Sequence, residues 1–162
     1  MAKLVAGGVT LRDQINARFP GRDKSSDGWV GDAAHAARGN ASDHNADKNG
    51  WVHAIDITES FGKGRWRNGR NAQALADQIL AYARSGLPGS DRVKYVVYEN
   101  ALASGTYKST WFKWRKGSWG HEQHVHISFN ASAEKDGQLW PLPILGKTLK
   151  QRRAWAAALA GK

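Results

Sequence analysis

Apolar residues along this chain fall into two periods. Leu11, Ile15 and Phe19 recur every four residues before Pro20, and Ala72, Leu75, Ala76, Ile79, Leu80 and Ala83 form a longer stripe of the same kind. Both read as amphipathic helices. Thr10 with Asp13 three residues on predicts a capping box for the first; Asn71 as N-cap and Gly86 as stop bound the second to about 71–85. Residues 51–58, 93–99, 107–114 and 124–130 are β-branched or aromatic runs bounded by Gly, Ser and Asn, and predict strands. The order of helix, strand, helix and strands predicts an α+β fold: a small, mostly antiparallel sheet packed against helices. Residues 20–50 have no sustained period and are rich in Gly, Asp, Ser and Asn, which predicts a long functional loop.

With 162 residues and 41% hydrophobic content, the chain has the material for one globular core. The expected organisation is a catalytic domain over 1–146 followed by a basic helix or extension over 147–162. The absence of cysteine removes disulfides, thiolate metal sites and thiol nucleophiles, leaving His, Asp, Glu, Ser and Lys to carry chemistry. No apolar run is long enough for a membrane span or a secretory signal, so synthesis in the cytoplasm without a Sec signal is expected.

The net charge of +10 is concentrated in three acid-free segments. They hold Lys63, Arg65, Arg67 and Arg70; Lys108, Lys113, Arg115 and Lys116; and Lys147, Lys150, Arg152, Arg153 and Lys162. The rest of the chain is mildly acidic. Such a distribution attracts an anionic polymer or surface: nucleic acid, anionic lipid, or a bacterial wall with its teichoic acids and carboxylates. Residues 147–162 also carry Leu149, Trp155 and Leu159, the pattern of a cationic amphipathic helix or of a terminal helix docked on the domain.

Four of the six histidines lie in two tight contexts, Ser42-Asp43-His44-Asn45 with Ala54-Ile55-Asp56, and Gly120-His121-Glu122-Gln123-His124-Val125-His126. On an extended strand His124 and His126 share a face, joined by Glu122 if the strand begins early. Asp56 ends an apolar strand, where an ionised carboxylate is costly unless it meets a cation. Two neutral imidazoles with one carboxylate are a ligand set for catalytic Zn2+ with an open fourth position, and such a site activates water and polarises carbonyls.

Ser42-x-His44, Ala54-x-Asp56-Ile57 and His124-x-His126 resemble the signatures of the D-Ala-D-Ala carboxypeptidase (VanY-like) zinc peptidases, over residues 28–130. The second cluster is similar to the Gly-His-x-x-His-x-His of penicillin-insensitive murein endopeptidases, and the chain's size is similar to that of phage endolysin peptidase domains. The resemblance implies that His44, Asp56 and His126 bind zinc while His124 and His121 line the site and assist catalysis. It also implies a monomeric hydrolase of bacterial peptidoglycan that reaches the wall through a separate lysis pore, with no obligate nucleic-acid partner.

Eleven residues separate His44 from Asp56, more than the family pattern leaves, so 46–50 is expected to bulge. His53 is the rival ligand to His44, but its parity puts it on the other face from Asp56. Where relatives place a Glu base, this chain has Gln123, so base duty passes to a histidine or to Glu122. Arg38 is a candidate for holding a substrate carboxylate or oxyanion. Asp43 is a candidate for orienting His44, with His35 structural. Trp111, Trp114 and Trp119 precede the second cluster, and Trp111 and Trp114 have opposite parity on the expected strand, so one of those two is expected in the core and the other free to flank the cleft. Two further readings are a metal-dependent nuclease, for which the basic runs would bind phosphate, and a non-catalytic wall-binding module with structural zinc.

Overall fold

A computed structural model describes residues 1–62 and 70–146, together with Ala157. Lys63, Arg65 and Arg67 of the first basic run lie outside the described residues, as do Lys147, Lys150, Arg152, Arg153 and Lys162 of the expected C-terminal helix.

The chain forms an α+β domain. Strands β1 (Lys3–Leu4) and β2 (Trp51–Val52) pair in parallel, while β3 (Ala54–Thr58), β4 (Val93–Tyr98), β5 (Ala101–Ser104), β6 (Arg115–Lys116) and β7 (His124–Phe129) form one antiparallel sheet in the order β3-β7-β4-β5-β6. Helices α1 (Ala6–Arg18) and α3 (Arg70–Arg84) pack on the sheet, and α2 (Ala33–Ala36) is a single turn within the long 20–50 loop.

Alternation along the strands divides the sheet into two faces. Ile55 and Ile57 of β3, Val96 and Tyr98 of β4 and Val125, Ile127 and Phe129 of β7 join the helix-covered core, where they meet Leu75, Ala76, Ile79 and Leu80 of α3 and Leu11 and Ile15 of α1. Asp56, His124, His126, Ser128, Tyr95 and Val97 take the intervening positions. Pairing of Asp56 with His126 and of His126 with Val97 aligns these side chains in one row across three strands.

Three local expectations are corrected. The first helix begins at Ala6 rather than at a Thr10 capping box: Gly7 and Gly8 lie so close to Ala133 and Phe129 that a Cβ on either would come within 3.2 Å, and that tight packing overrides the weak helical propensity of glycine. Thr10 is therefore inside α1, its hydroxyl donating to the Gly137 carbonyl at 3.0 Å. Residues 107–114 form no strand. Phe112 takes a left-handed backbone (φ 49°) and turns into the core beneath Gly105, so the aromatic content there anchors a loop rather than marking an alternating strand. Parity arguments on Trp111 and Trp114 consequently lapse: Trp111 is exposed, and the Trp114 indole donates to Asp77 at 2.8 Å. Finally, α3 starts at Arg70, which places Asn71 inside its first turn.

The C-terminal end of the described chain is held by two buried groups. The Trp140 indole donates to the Gly7 carbonyl at 2.8 Å. Arg92, fully buried, stacks over Trp140 at 4.1 Å and donates to the carbonyls of Gly89 and Gln138 at 2.9 and 2.8 Å. A buried guanidinium is tolerable only with this many acceptors, and Asp136 at 3.5 Å balances its charge.

Candidate metal centre

The loop over 20–50 is fastened along the outer edge of β3. The Gly28 and Asp56 backbones exchange hydrogen bonds at 2.7 and 3.3 Å. Upstream, the buried Arg22 guanidinium forks onto Asp27, whose Oδ1 also accepts from the Thr58 amide at 2.9 Å. Downstream, the Gly31 amide donates to the His44 carbonyl at 2.9 Å, and a Cβ at Gly31 would come within 2.6 Å of Asn45 Oδ1, so the crossing requires glycine. These ties deliver the buried His44 ring to the sheet face.

There it meets the strand row. His44 Nε2 lies 3.1 Å from His126 Nδ1 and 3.3 Å from Asp56 Oδ2, and His126 Nδ1 lies 2.9 Å from Asp56 Oδ1. Ligand atoms about 2.0–2.2 Å from a tetrahedral zinc stand roughly 3.3–3.6 Å apart, so the trio already approximates one face of such a tetrahedron. The outward nitrogens are occupied. His44 Nδ1 donates to the Trp29 carbonyl at 3.2 Å, and His126 Nε2 pairs with Ser128 Oγ at 2.9 Å. A carbonyl only accepts, so the His44 proton is fixed on Nδ1 and its Nε2 lone pair faces the cluster, the arrangement a metal-ligating imidazole needs. His44, Asp56 and His126 thus form a group that can bind a metal ion.

Electrostatics favour a cation at the cluster, either a proton on His44 Nε2 or a metal ion in its place. Burial opposes ionisation of Asp56, but hydrogen bonds and charge from His126 and His44 outweigh it and hold the carboxyl far below the usual carboxylate range. Burial likewise opposes a proton on His44, and the Asp56 hydrogen bond and charge override it, raising the pKa. For His126, fully enclosed, burial wins and the ring is pushed towards neutrality. The cluster therefore holds a permanent anion that attracts a cation, beside an imidazole kept neutral.

His124 and His121 flank the trio. His124 Nε2 is 3.6 Å from Asp56 Oδ1, and its pKa is lowered, chiefly by burial. Asp56, His121 and His124 also bring ligand atoms within 4.8 Å of one another. His121 packs its ring edge-on to His124 with centroids 5.0 Å apart, and its Nδ1 meets the Trp119 carbonyl at 2.8 Å. That contact puts the proton on Nδ1 and leaves Nε2 of the neutral ring a base. The turn that presents it is left-handed at both Gly120 (φ 67°) and His121 (φ 61°).

Of the other sequence candidates, Arg38 and His35 line a cleft of about 210 Å3 together with His44, Tyr95, Trp119 and His121. The tryptophan that borders this cleft is Trp119, and neither Trp111 nor Trp114 lines it. His35 sits 4.9 Å edge-on from the His44 ring and bonds Asp32 at 2.8 Å. Glu122 is exposed and accepts from Asn100. His53 turns to Glu134 at 3.1 Å. Asp43 does not hydrogen-bond the His44 ring; both its oxygens take the Lys94 ammonium at 2.8 Å.

Three participants had no sequence expectation. Tyr95 stacks on His126 with centroids 5.4 Å apart, and burial pushes its phenol up to about 12. The Trp29 carbonyl reaches His44 across fifteen residues. Ser128, two residues after His126, shares its strand face, so the alternation used for His124 also pointed to it.

Comparison with protein-family models, with curated proteins and with solved structures yields no match for this chain.

Proposed function

We propose that the chain is a zinc-dependent peptidase that hydrolyses an amide bond in the stem peptides or cross-links of bacterial peptidoglycan, in the manner of an endolysin. The observation that carries the reading is the convergence of His44 Nε2, His126 Nδ1 and the Asp56 carboxylate, with two further imidazoles beside them. Zinc held by those three residues would supply Lewis acidity, lowering the pKa of a water to about 7 and polarising the scissile carbonyl.

The remaining work falls to this chain's own side chains. His121, its Nδ1 proton held by Trp119, offers Nε2 to take a proton from the attacking water; His124, kept neutral by burial, is the second candidate. The proton is taken as the new C–O bond forms, and the resulting imidazolium returns it to the departing amine as the C–N bond breaks. Arg38 in the cleft supplies a fork for a substrate carboxylate or for the developing oxyanion. Tyr95 and Ser128 hold the His126 ring in place.

The partner reading rests on charge. Lys108, Lys113, Arg115 and Lys116 are all exposed, and Tyr107, Trp111 and Trp119 of the same acid-free stretch are 54, 44 and 43% exposed. Cations with aromatic platforms suit an anionic glycopeptide polymer. Among the described residues no helix is long and apolar enough to cross a membrane, so contact with the wall is proposed to come from these surfaces.

The test is digestion of purified sacculi with and without chelator, with zinc restored afterwards. Chelator-sensitive release of new free amines, with the cut bond identified by mass analysis of the muropeptides, is expected. Intact sacculi together with nicked plasmid DNA would replace the peptidase reading with a nuclease.

A further inference from the structure

The three segments that carry His44, Asp56 and His126 also carry a second trio. Asp47 follows His44 by three residues, His53 precedes Asp56 by three, and Glu134 follows His126 by eight. Their ligand atoms lie within 4.8 Å of one another, and His53 Nε2 approaches Glu134 Oε1 to 3.1 Å. None of the three belongs to the centre described above.

Each side chain is held by its own backbone. Asp47 closes a tight turn, its Oδ1 accepting from the amides of Asn49 and Trp51 at 2.8 and 2.9 Å, which leaves Oδ2 uncommitted to that turn. His53 sits at the break between β2 and β3, with its amide on the Asp43 carbonyl at 3.0 Å and its carbonyl taking the Phe129 amide at 2.8 Å. Glu134 ends the 3-10 turn Ala131–Glu134. The His53 and Glu134 side chains are only 16 and 22% exposed, and a cavity of about 370 Å3 opens beside Asp47 and His53. Two carboxylates and one imidazole are a donor set suited to a divalent ion, and Lys48 is the one Lys or Arg among the residues lining the cavity.

We infer that Asp47, His53 and Glu134 form a second, weaker site for a divalent transition ion such as zinc. One imidazole with two carboxylates selects zinc-like ions over calcium, which prefers six or more oxygens. Its role is mechanical: an ion there ties the loop bearing His44 to the strand bearing Asp56 and to the turn after β7, bracing the primary centre from behind. The inference stands on this trio alone and holds whether or not the chain is a peptidase.

The experiment is titration of chelator-stripped, full-length protein with zinc sulfate, read by native mass spectrometry and calorimetry. Two equivalents are expected for the parent chain, one tight and one weak. H53Q and E134Q should each lose the weak equivalent and keep the tight one, H126A should do the reverse, and excess calcium should displace neither. E134Q, outside every strand, serves if H53Q fails to fold. A parent chain with no zinc equivalent that E134Q removes, or displacement of that equivalent by calcium, overturns the assignment; a single equivalent lost in E134Q and kept in H126A upholds it and counts against the primary centre instead.

Discussion

Asp43 and Lys94 join the loop to the sheet through two contacts of 2.8 Å, one residue away from the His44 that the loop delivers. The bond is bidentate and Asp43 is largely covered, so it positions His44 without touching its ring. D43N should keep the fold and lose one charge-assisted anchor of about 1 kcal/mol. Zinc affinity should weaken by several-fold, as measured by competition with a chromogenic chelator. Unaltered affinity would show that Trp29 and Gly31 suffice to hold the loop.

Removal of a metal ligand should separate binding from folding less cleanly. H126A is expected to lose the tight zinc equivalent, because His124, the other imidazole on that face of the strand, does not belong to the trio that includes His44, and D56N to weaken it strongly by removing the only carboxylate of the trio. Metal analysis after dialysis is the measurement. Full zinc content in H126A would defeat the ligand assignment.

The two flanking histidines should behave differently from the ligands. H124A and H121A are each expected to retain tight zinc and to lose about 10²-fold in rate on a soluble muropeptide, the size of effect seen when a general acid or base is removed. E122Q should be nearly silent, since Glu122 is exposed and turned to Asn100. Departure of zinc from H124A would instead make His124 a ligand.

Acid sensitivity should trace in part to Asp27. Burial would raise its pKa, but the Arg22 hydrogen bond and charge and the Thr58 amide outweigh this and hold it below the ordinary 3.8. A depressed folded-state pKa means that the stabilisation is complete above the unfolded value and disappears as pH falls through the folded one. D27N removes the counter-charge of the buried Arg22 but leaves its hydrogen bonds to Asn16 and to the Asp23 carbonyl, and should therefore cost about 2 kcal/mol at pH 7. The difference from the parent chain should shrink below about pH 4 in denaturant titrations. A difference that persists unchanged at pH 2 would exclude the ion pair as its source.

Much of this site was legible because it rests on strand alternation and on the pairing rules of imidazole and carboxylate. The His124-x-His126 spacing and the position of Asp56 in an apolar run needed only the period of two. What was not legible depends on register and on loop paths. Tyr95 reaches His126 because β4 lies beside β7, an adjacency that no local pattern encodes. Asp43 faces Lys94, 51 residues away, where a neighbouring histidine was the nearer partner in sequence. Aromatic richness misled over 107–114, since Phe112 reaches the core through a left-handed turn that composition does not reveal.

The single row that pairs Asp56 with His126 and His126 with Val97 constrains how this protein can change. Slipping β7 by one residue would carry Val125 to the open face and bury His126 among the helices, dismantling the core and the cluster in one step. Insertions within β3 or β7 are thus excluded one residue at a time, while the loop tips away from this frame can vary in length without moving any of its pairs. Evolution of such a domain would proceed by growth of its loops around an invariant strand frame, and ion uptake would act as a direct report that β3 and β7 have met in the right register.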